Sequence, residues 1–367
     1  MNKLRFILLL GFVSIFSIIS NSIFATTPPV SDNKATHEAE VFKPGEMIIE
    51  HIIDNHEWHI FTWNTHHYSV PLPVILYDRG KIVVFSSGRF HHGTASYIGY
   101  KIENEGKNKR KIVKVLDDGV TTNTKEPLPL DFSVTRTVAA LILSMFLLIL
   151  ILSAVVRRYK RHPNTAPKGL QIAIEALVNF IKDDIAIPSI GVKMYERYMP
   201  FLLTLFFFIL MNNIMGLIPF FPFGTNVTGN IAITMSLALF TFVITTFSGN
   251  KMYWKHIFNA PGVPWWLKFP IPLMPIVELI GVFTKPFVLM VRLFANITAG
   301  HIVILGFMSL IFIFARIHTA LGLGVSVVSI AFTLFMDMLE LLVAFIQAYV
   351  FTLLSALYFG MATQEHH

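Results

Sequence analysis

Long unbroken apolar runs fill the chain from about residue 137 onward, whereas the region before it alternates apolar and polar positions in short stretches. Runs at about 137–156, 198–218 and 231–248 each approach the roughly 20 residues that a spanning helix needs. Two later runs, about 272–314 and 320–362, are far longer and contain few turn residues. They read as two long, strongly tilted helices joined near Arg316-Ile317-His318-Thr319. Between the first two spans, residues 168–185 place apolar side chains at helical spacing opposite Glu175 and Lys182. That pattern predicts an amphipathic helix lying along the cytoplasmic surface.

The N-terminal third follows other rules. Lys3 and Arg5 precede an apolar core from Phe6 to Ile19 with Ala25 beyond it, the layout of a secretory signal peptide over 1–25. An uncleaved first span is the alternative reading. Trp58–Trp63, Val70–Tyr77 and Lys81–Phe85 are rich in β-favouring residues, and Asp78-Arg79-Gly80 reads as a hairpin turn. A small β-rich extracytoplasmic domain is expected over 26–130, tethered by the segment 121–129, with a membrane domain over 131–367. The expected fold is thus an all-α polytopic membrane protein with five membrane-crossing helices, an amphipathic surface helix and this β-rich appendage. With the N-terminal domain outside, five passes bring residues 364–367 to the cytoplasm.

Composition agrees: 54% of residues are hydrophobic, 14% are charged, and mean hydropathy is +0.62. The net charge of +7 does not point to nucleic acid. Its basic residues cluster beside apolar spans, as at Arg157, Arg158, Lys160 and Arg161, the mark of cytoplasmic loops. The chain has no cysteine, which removes disulfides and thiolate chemistry. His56, His59, His66, His67, His91 and His92 invite a metal reading, but they sit on strand-like sequence without a helical His-Glu-x-x-His spacing. No metal site, cofactor or nucleotide-binding glycine loop is expected.

The chemistry lies where charge interrupts the long apolar runs. Arg292 stands deep inside the run 272–314, where a cation costs roughly 2.5–3.5 kcal/mol on insertion scales. An arginine holds its proton under all physiological conditions, so it can act only as a fixed charge. Glu278 and Lys285 share its helix face at intervals of seven, and Asn296 lies one turn beyond. Glu278 falls about 21 Å from Arg292 along the axis, and His301 about 14 Å beyond it on the other side. On the final helix Asp337, Glu340 and Gln347 lie close to one stripe. Structural alternatives stand beside these readings. Lys285 can snorkel, Glu278 can be an interfacial charge, His301 an interior histidine, and Gln347 a helix bridge. Arg292 can pair internally with Glu340 or Asp337.

Thr284-Lys285-Pro286 followed by Arg292-Leu293-Phe294-Ala295-Asn296 closely resembles subunit a of the F-type ATP synthase. Tyr198-Met199-Pro200, Asn213 to Pro219, Thr225 to Thr234, and Leu341 to Ala362 with Gln347-Ala348-Tyr349 are also similar to the family's patterns, in the same order. The resemblance covers roughly 130–367. It implies a proton-translocating stator subunit with no catalytic site of its own, in a bacterial inner membrane with a periplasmic N-terminal domain. The implied partners are a ring of c subunits, a peripheral stalk of b subunits, the soluble nucleotide-binding sector and the lipid bilayer. Two aqueous half-channels reach the ring's carboxylates from opposite sides, with Arg292 between them. His301, Glu340, Asn296 and Gln347 correspond to outer half-channel positions, and Glu278 to one near the inner half-channel. Many members carry an acid and a histidine where this chain has His301 and Glu340, an exchange that a contacting pair would tolerate. A secondary transporter binding a small anion at Arg292 is the competing function.

Overall fold

The computed structural model describes residues 54–363 except 64–65, 92, 104–107, 117–120, 124–125, 163–164, 219–221 and 259–272, with Gly45 and Ile48 before them. The expected signal peptide over 1–25 and the terminal residues 364–367 lie outside the described residues.

Seven described strands precede the helices: β1 (Glu57–Trp63), β2 (His66–Pro71), β3 (Pro73–Asp78), β4 (Lys81–Ser86), β5 (Tyr100–Ile102), β6 (Ile112–Lys114) and β7 (Leu130–Asp131). β1 and β2 form one two-stranded sheet and β5 and β6 another, while a three-stranded sheet has the order β4-β3-β7. β3 and β4 pair antiparallel from Pro73↔Ser86 to Asp78↔Lys81. Arg79 and Gly80 form the two-residue turn, with φ of 47° and 82°, as a type I′ hairpin requires. The inner face of this sheet packs Val74 and Leu76 against Phe90, Tyr100 and Ile112.

The segment expected to tether the N-terminal domain is hydrogen-bonded to it. The Asn123 amide donates to the Lys114 carbonyl at 2.9 Å, the Thr122 hydroxyl donates to Glu103, and Lys114 bridges to Glu126 at 2.9 Å. These residues find their partners on Lys114 of β6 and on Glu103, just after β5. Pairing with β3 then runs past β7, through Phe132 and Val134 amides donating to the Ile75 and Pro73 carbonyls, up to the first long helix.

The helices are α1 (Arg136–Arg161), α2 (Leu170–Phe180), α3 (Ile187–Ile190), α4 (Tyr195–Leu217), α5 (Ile231–Ser248), α6 (Lys251–Phe258), α7 (Leu273–Ile317) and α8 (Thr319–Thr363). Five of them, α1, α4, α5, α7 and α8, are long and apolar enough to cross a membrane. α7 and α8 each have 45 residues, about 67 Å at 1.5 Å per residue. That is twice the roughly 30 Å hydrocarbon core, so neither can stand upright within it. They turn back on each other at His318, whose Nδ1 accepts the Ala320 amide at 3.2 Å. The turn is tight: a Cβ on Gly322 would lie 2.6 Å from the Ala315 Cα.

The surface helix expected over 168–185 is only partly peripheral. Leu170 and Ile172 at its start are exposed. A π-helical turn, Ile181–Ala186, then shifts the apolar face inward and buries Ile181, Ile185 and Ala186 in the main core. That core is closed by Leu202, Phe206 and Ile209 of α4, Leu289 and Leu293 of α7, and Ala348, Phe351 and Phe359 of α8.

Burial in the long helices is inverted relative to a water-soluble bundle. α8 buries Gly322, Ser329, Thr333, Ala344, Ala348, Thr352 and Ser355 while exposing Phe335, Met338 and Leu342. Small and hydroxyl residues allow close helix approach and hydrogen-bond across helices, as expected in lipid. Asn213 of α4 donates to the Ala344 carbonyl at 3.2 Å and accepts from Thr228 at 2.6 Å. Thr241 of α5 meets Ser355 at 3.3 Å.

Candidate functional site on the two long helices

Helical spacing dictates which polar groups of α7 share a face, and the burial of each decides what it can meet. Arg292 and Asn296, one turn apart, are both exposed along α7, while Leu289, Leu293 and Ile297 hold the helix to the core along the adjoining flank. Among the described residues Arg292 forms no ion pair. The internal bridge to Glu340 or Asp337 that the sequence leaves open is therefore not formed. Burying three apolar residues per two turns fixes the rotation of α7 and turns the guanidinium outward.

Glu340 instead meets His301. The His301 Nδ1 lies 2.9 Å from Glu340 Oε1, with side-chain exposures of 15% and 5%. The acid and histidine expected to touch across the helices do so. The second carboxylate oxygen, Oε2, is buried without a hydrogen-bond partner among the described residues. An unmade bond at such an atom costs about 1–3 kcal/mol. A hydrogen-bond donor arriving there would relieve that cost. Asp337, one turn earlier, lies within electrostatic range of both partners.

Two contributors were missed in the sequence. Gly300 makes room for the carboxyl group, since a Cβ there would lie 2.8 Å from Glu340 Oε1 and 2.9 Å from its Cδ. A glycine beside the expected histidine in mid-helix was the available cue. Tyr358 of α8 places its ring 5.5 Å from the Lys285 Nζ, a cation–π contact. It also feels the charge of Arg292. Lys285 therefore has a partner inside the protein rather than only an interfacial stem.

The remaining candidates stand apart from the pair. Gln347 is buried on α8, seven residues from Glu340 and on the same stripe. Glu278 is half-buried near the start of α7, within electrostatic reach of Lys285 and of Tyr253 on α6. The structure thus joins His301 to Glu340, aligns Arg292 with Asn296, and leaves Glu278 at the far end of α7.

Comparison with known proteins is consistent across this region. A family model described as ATP synthase A chain matches residues 138–360, and a domain of unknown function matches residues 47–132. The chain is 48% identical over 239 residues to ATP synthase subunit a 2 of Chlorobaculum tepidum, covering 64% of each chain. It is 46% identical over 244 residues to ATP synthase subunit a of Chloroherpeton thalassium, covering 65% of this chain and 69% of that one. For ATP synthase subunit a of Myxococcus xanthus the identity is 44% over 244 residues, covering 65% and 75%. The match therefore spans just under two thirds of the Chlorobaculum relative's length. Since the family model takes in every long apolar helix and most of the chain, the protein belongs to the ATP synthase A chain family.

Proposed function

We propose that this chain is the stator-side, proton-translocating subunit of an F-type ATP synthase, and that Arg292 is the fixed charge separating two aqueous half-channels. The observation that carries the reading is an exposed guanidinium on α7 with no ion pair among the described residues, while Glu340, the buried carboxylate of the neighbouring α8, is already engaged by His301. A cation left this way in a membrane needs an anion supplied from outside the chain. A ring of c subunits, each with a membrane carboxylate, supplies one at every step of rotation.

The residue chemistry supports the direction of events. A carboxylic acid arriving opposite Arg292 loses its proton more readily, because a nearby cation lowers an acid's pKa. The resulting carboxylate is held until rotation carries it to the other channel, where reprotonation makes it neutral enough to face lipid. His301 and Glu340, with Asn296 and Gln347 along the same path, form the outer channel. Glu278 lines the inner one, and Arg292 repels a hydrated cation that would cross between them. The ion is a proton, since a histidine–carboxylate pair relays protons near neutral pH. Each proton yields about 2.3 kcal/mol per 100 mV, so a leak past Arg292 discards the driving force.

In this reading residues 1–25 are a signal peptide, 26–130 a periplasmic domain and 131–367 the membrane domain of a bacterial inner-membrane protein. The C-terminus is cytoplasmic. The b-subunit stalk and the soluble nucleotide-binding sector complete the assembly. Purification from native membranes tests the assignment, which requires a c ring and an ATP-hydrolysing sector in the same particle. In that particle Arg292→Ala should reduce ATP-driven proton pumping to background while passive proton leak persists or rises. A self-sufficient protein that transports a small anion, or normal coupled pumping by Arg292→Ala, would defeat it.

A further inference from the structure

The C-terminal end of α1 carries a feature that proton movement does not use. Ala154, Arg157, Arg158, Arg161 and His162, all exposed, line an open pocket of about 430 Å³. The spacing of i, i+3, i+4 and i+7 puts the first four on one face of the helix, and His162 caps its end. The neighbouring face is fixed elsewhere: Val155 is buried, and the Tyr159 hydroxyl donates to Glu175 of α2 at 2.5 Å. That clamp sets the rotation of the helix end and occupies the closest carboxylate of α2. None of the three arginines forms an ion pair among the described residues.

The cavity also sits at a defined depth. The apolar run 137–156 is about 30 Å long as a helix, the thickness of the hydrocarbon core. Arg157 therefore emerges where lipid phosphates lie, and Ala154 lies one turn inside the acyl region. A helix C-terminus carries roughly half a negative charge, which three guanidinium groups outweigh. Arginine forks bind phosphate oxygens in pairs, and a small residue at the apolar end leaves space beside the chain of a bound lipid.

We propose that this pocket holds the phosphate headgroup of an anionic phospholipid, with Arg157, Arg158 and Arg161 on the phosphate and Ala154 beside the first acyl carbons. The site is independent of the Arg292 reading and belongs to the membrane anchoring of α1. Ordinary topogenic charge would be satisfied by lysine, and a fitted phosphate site would not.

The full-length chain purified in detergent is titrated with phosphatidylglycerol, phosphatidylcholine and inorganic phosphate, and lipid retention is read by native mass spectrometry. Phosphatidylglycerol should be retained over phosphatidylcholine. The triple variant R157A/R158A/R161A should bind it roughly a hundredfold more weakly, at about fivefold per cation. R157K/R158K/R161K should fall between the two. Ala154→Leu, which narrows the cavity without touching charge, should also weaken retention. Equal retention by wild type and the alanine variant overturns the proposal, as does full retention by the lysine variant. Displacement of the lipid by inorganic phosphate at matching concentration overturns the lipid assignment in favour of a soluble anion.

Discussion

In the N-terminal sheets Lys114 stands 2.5 Å from Asp78 and 2.9 Å from Glu126. Arg79 adds a second contact to Glu126 at 2.8 Å, and the Tyr100 hydroxyl donates to Asp78 at 2.9 Å. Between α7 and α8, by contrast, Glu340 has His301 alone, and its second oxygen has no partner among the described residues. The N-terminal cluster over-satisfies its acids and so locks their charge. The membrane pair leaves its acid under-satisfied, and in the proposed reading that is the acid through which protons enter. A fully partnered polar network rigidifies a fold.

The largest test of that contrast removes the acid itself. Glu340→Ala should lower the rate of proton entry from the outer side by about a hundredfold, the scale of a lost proton-transfer group. Glu278→Ala should leave outer-side entry much less affected, because it sits at the opposite end of α7. Proton flux in inverted vesicles and in proteoliposomes reports the two sides separately, and equal effects of both variants would reject the channel assignment. The exchange His301→Glu with Glu340→His should retain more activity than either single change, with a coupling of about 0.5–3 kcal/mol for groups in contact. Strict additivity would mean that the two side chains act independently.

A smaller effect is expected from closing the space beside the carboxyl group. Gly300→Ala puts a Cβ 2.8 Å from Glu340 Oε1, and the carboxyl group, as the far end of a flexible side chain, can yield by rotating away from His301. Overpacking of this kind costs about 1–3 kcal/mol. Pumping should fall several-fold, short of the Glu340→Ala loss. The variant should also mask part of the His301–Glu340 coupling. An unaltered coupling energy would show that Gly300 has no part in positioning the pair.

Much of this was legible because lipid imposes simple rules. Five spans, a join near His318 and a hairpin turn at Asp78-Arg79-Gly80 follow from apolar run length and turn chemistry alone. Arg292 was legible because a cation inside an apolar run has few structural explanations. What stayed hidden depends on rotation and partners. Whether Arg292 paired with Glu340 could not be read from spacing, since both outcomes fit the same helical stripes. The packing of Leu289, Leu293 and Ile297 decides it. The inward turn at Ile181–Ala186 depends on a π-helical insertion with no residue signature. The binding-down of 121–129 depends on charges distant in sequence, Lys114 and Glu103, which periodicity does not register.

The N-terminal cluster supplies the smallest and most local test. The bond from Lys114 holds the Asp78 carboxyl below the usual carboxylate range, with the Tyr100 hydroxyl adding to it against burial. Lys114, then Arg79, does the same for Glu126. Burial pulls Lys114 down, but its two carboxylate bonds more than offset this and raise it above the ordinary lysine value. Acids with lowered folded pKa values stabilise fully above their unfolded values, about 4, and lose that contribution as pH falls through the folded ones. The lysine contributes below about 10.4 and loses its share as pH rises beyond its folded value. Stability of the N-terminal sheets should therefore be flat between these limits. In Lys114→Met the acids return towards ordinary values, so acid unfolding should begin at a higher pH, nearer 4. Hydrogen exchange at the β3–β4 amides of the full chain measures this, while ATP-driven pumping of the same variant stays at the wild-type level because no proton path runs through the cluster. An unchanged acid profile would remove Lys114 as the organising charge, and a loss of pumping would mean that the two regions are not separate in function.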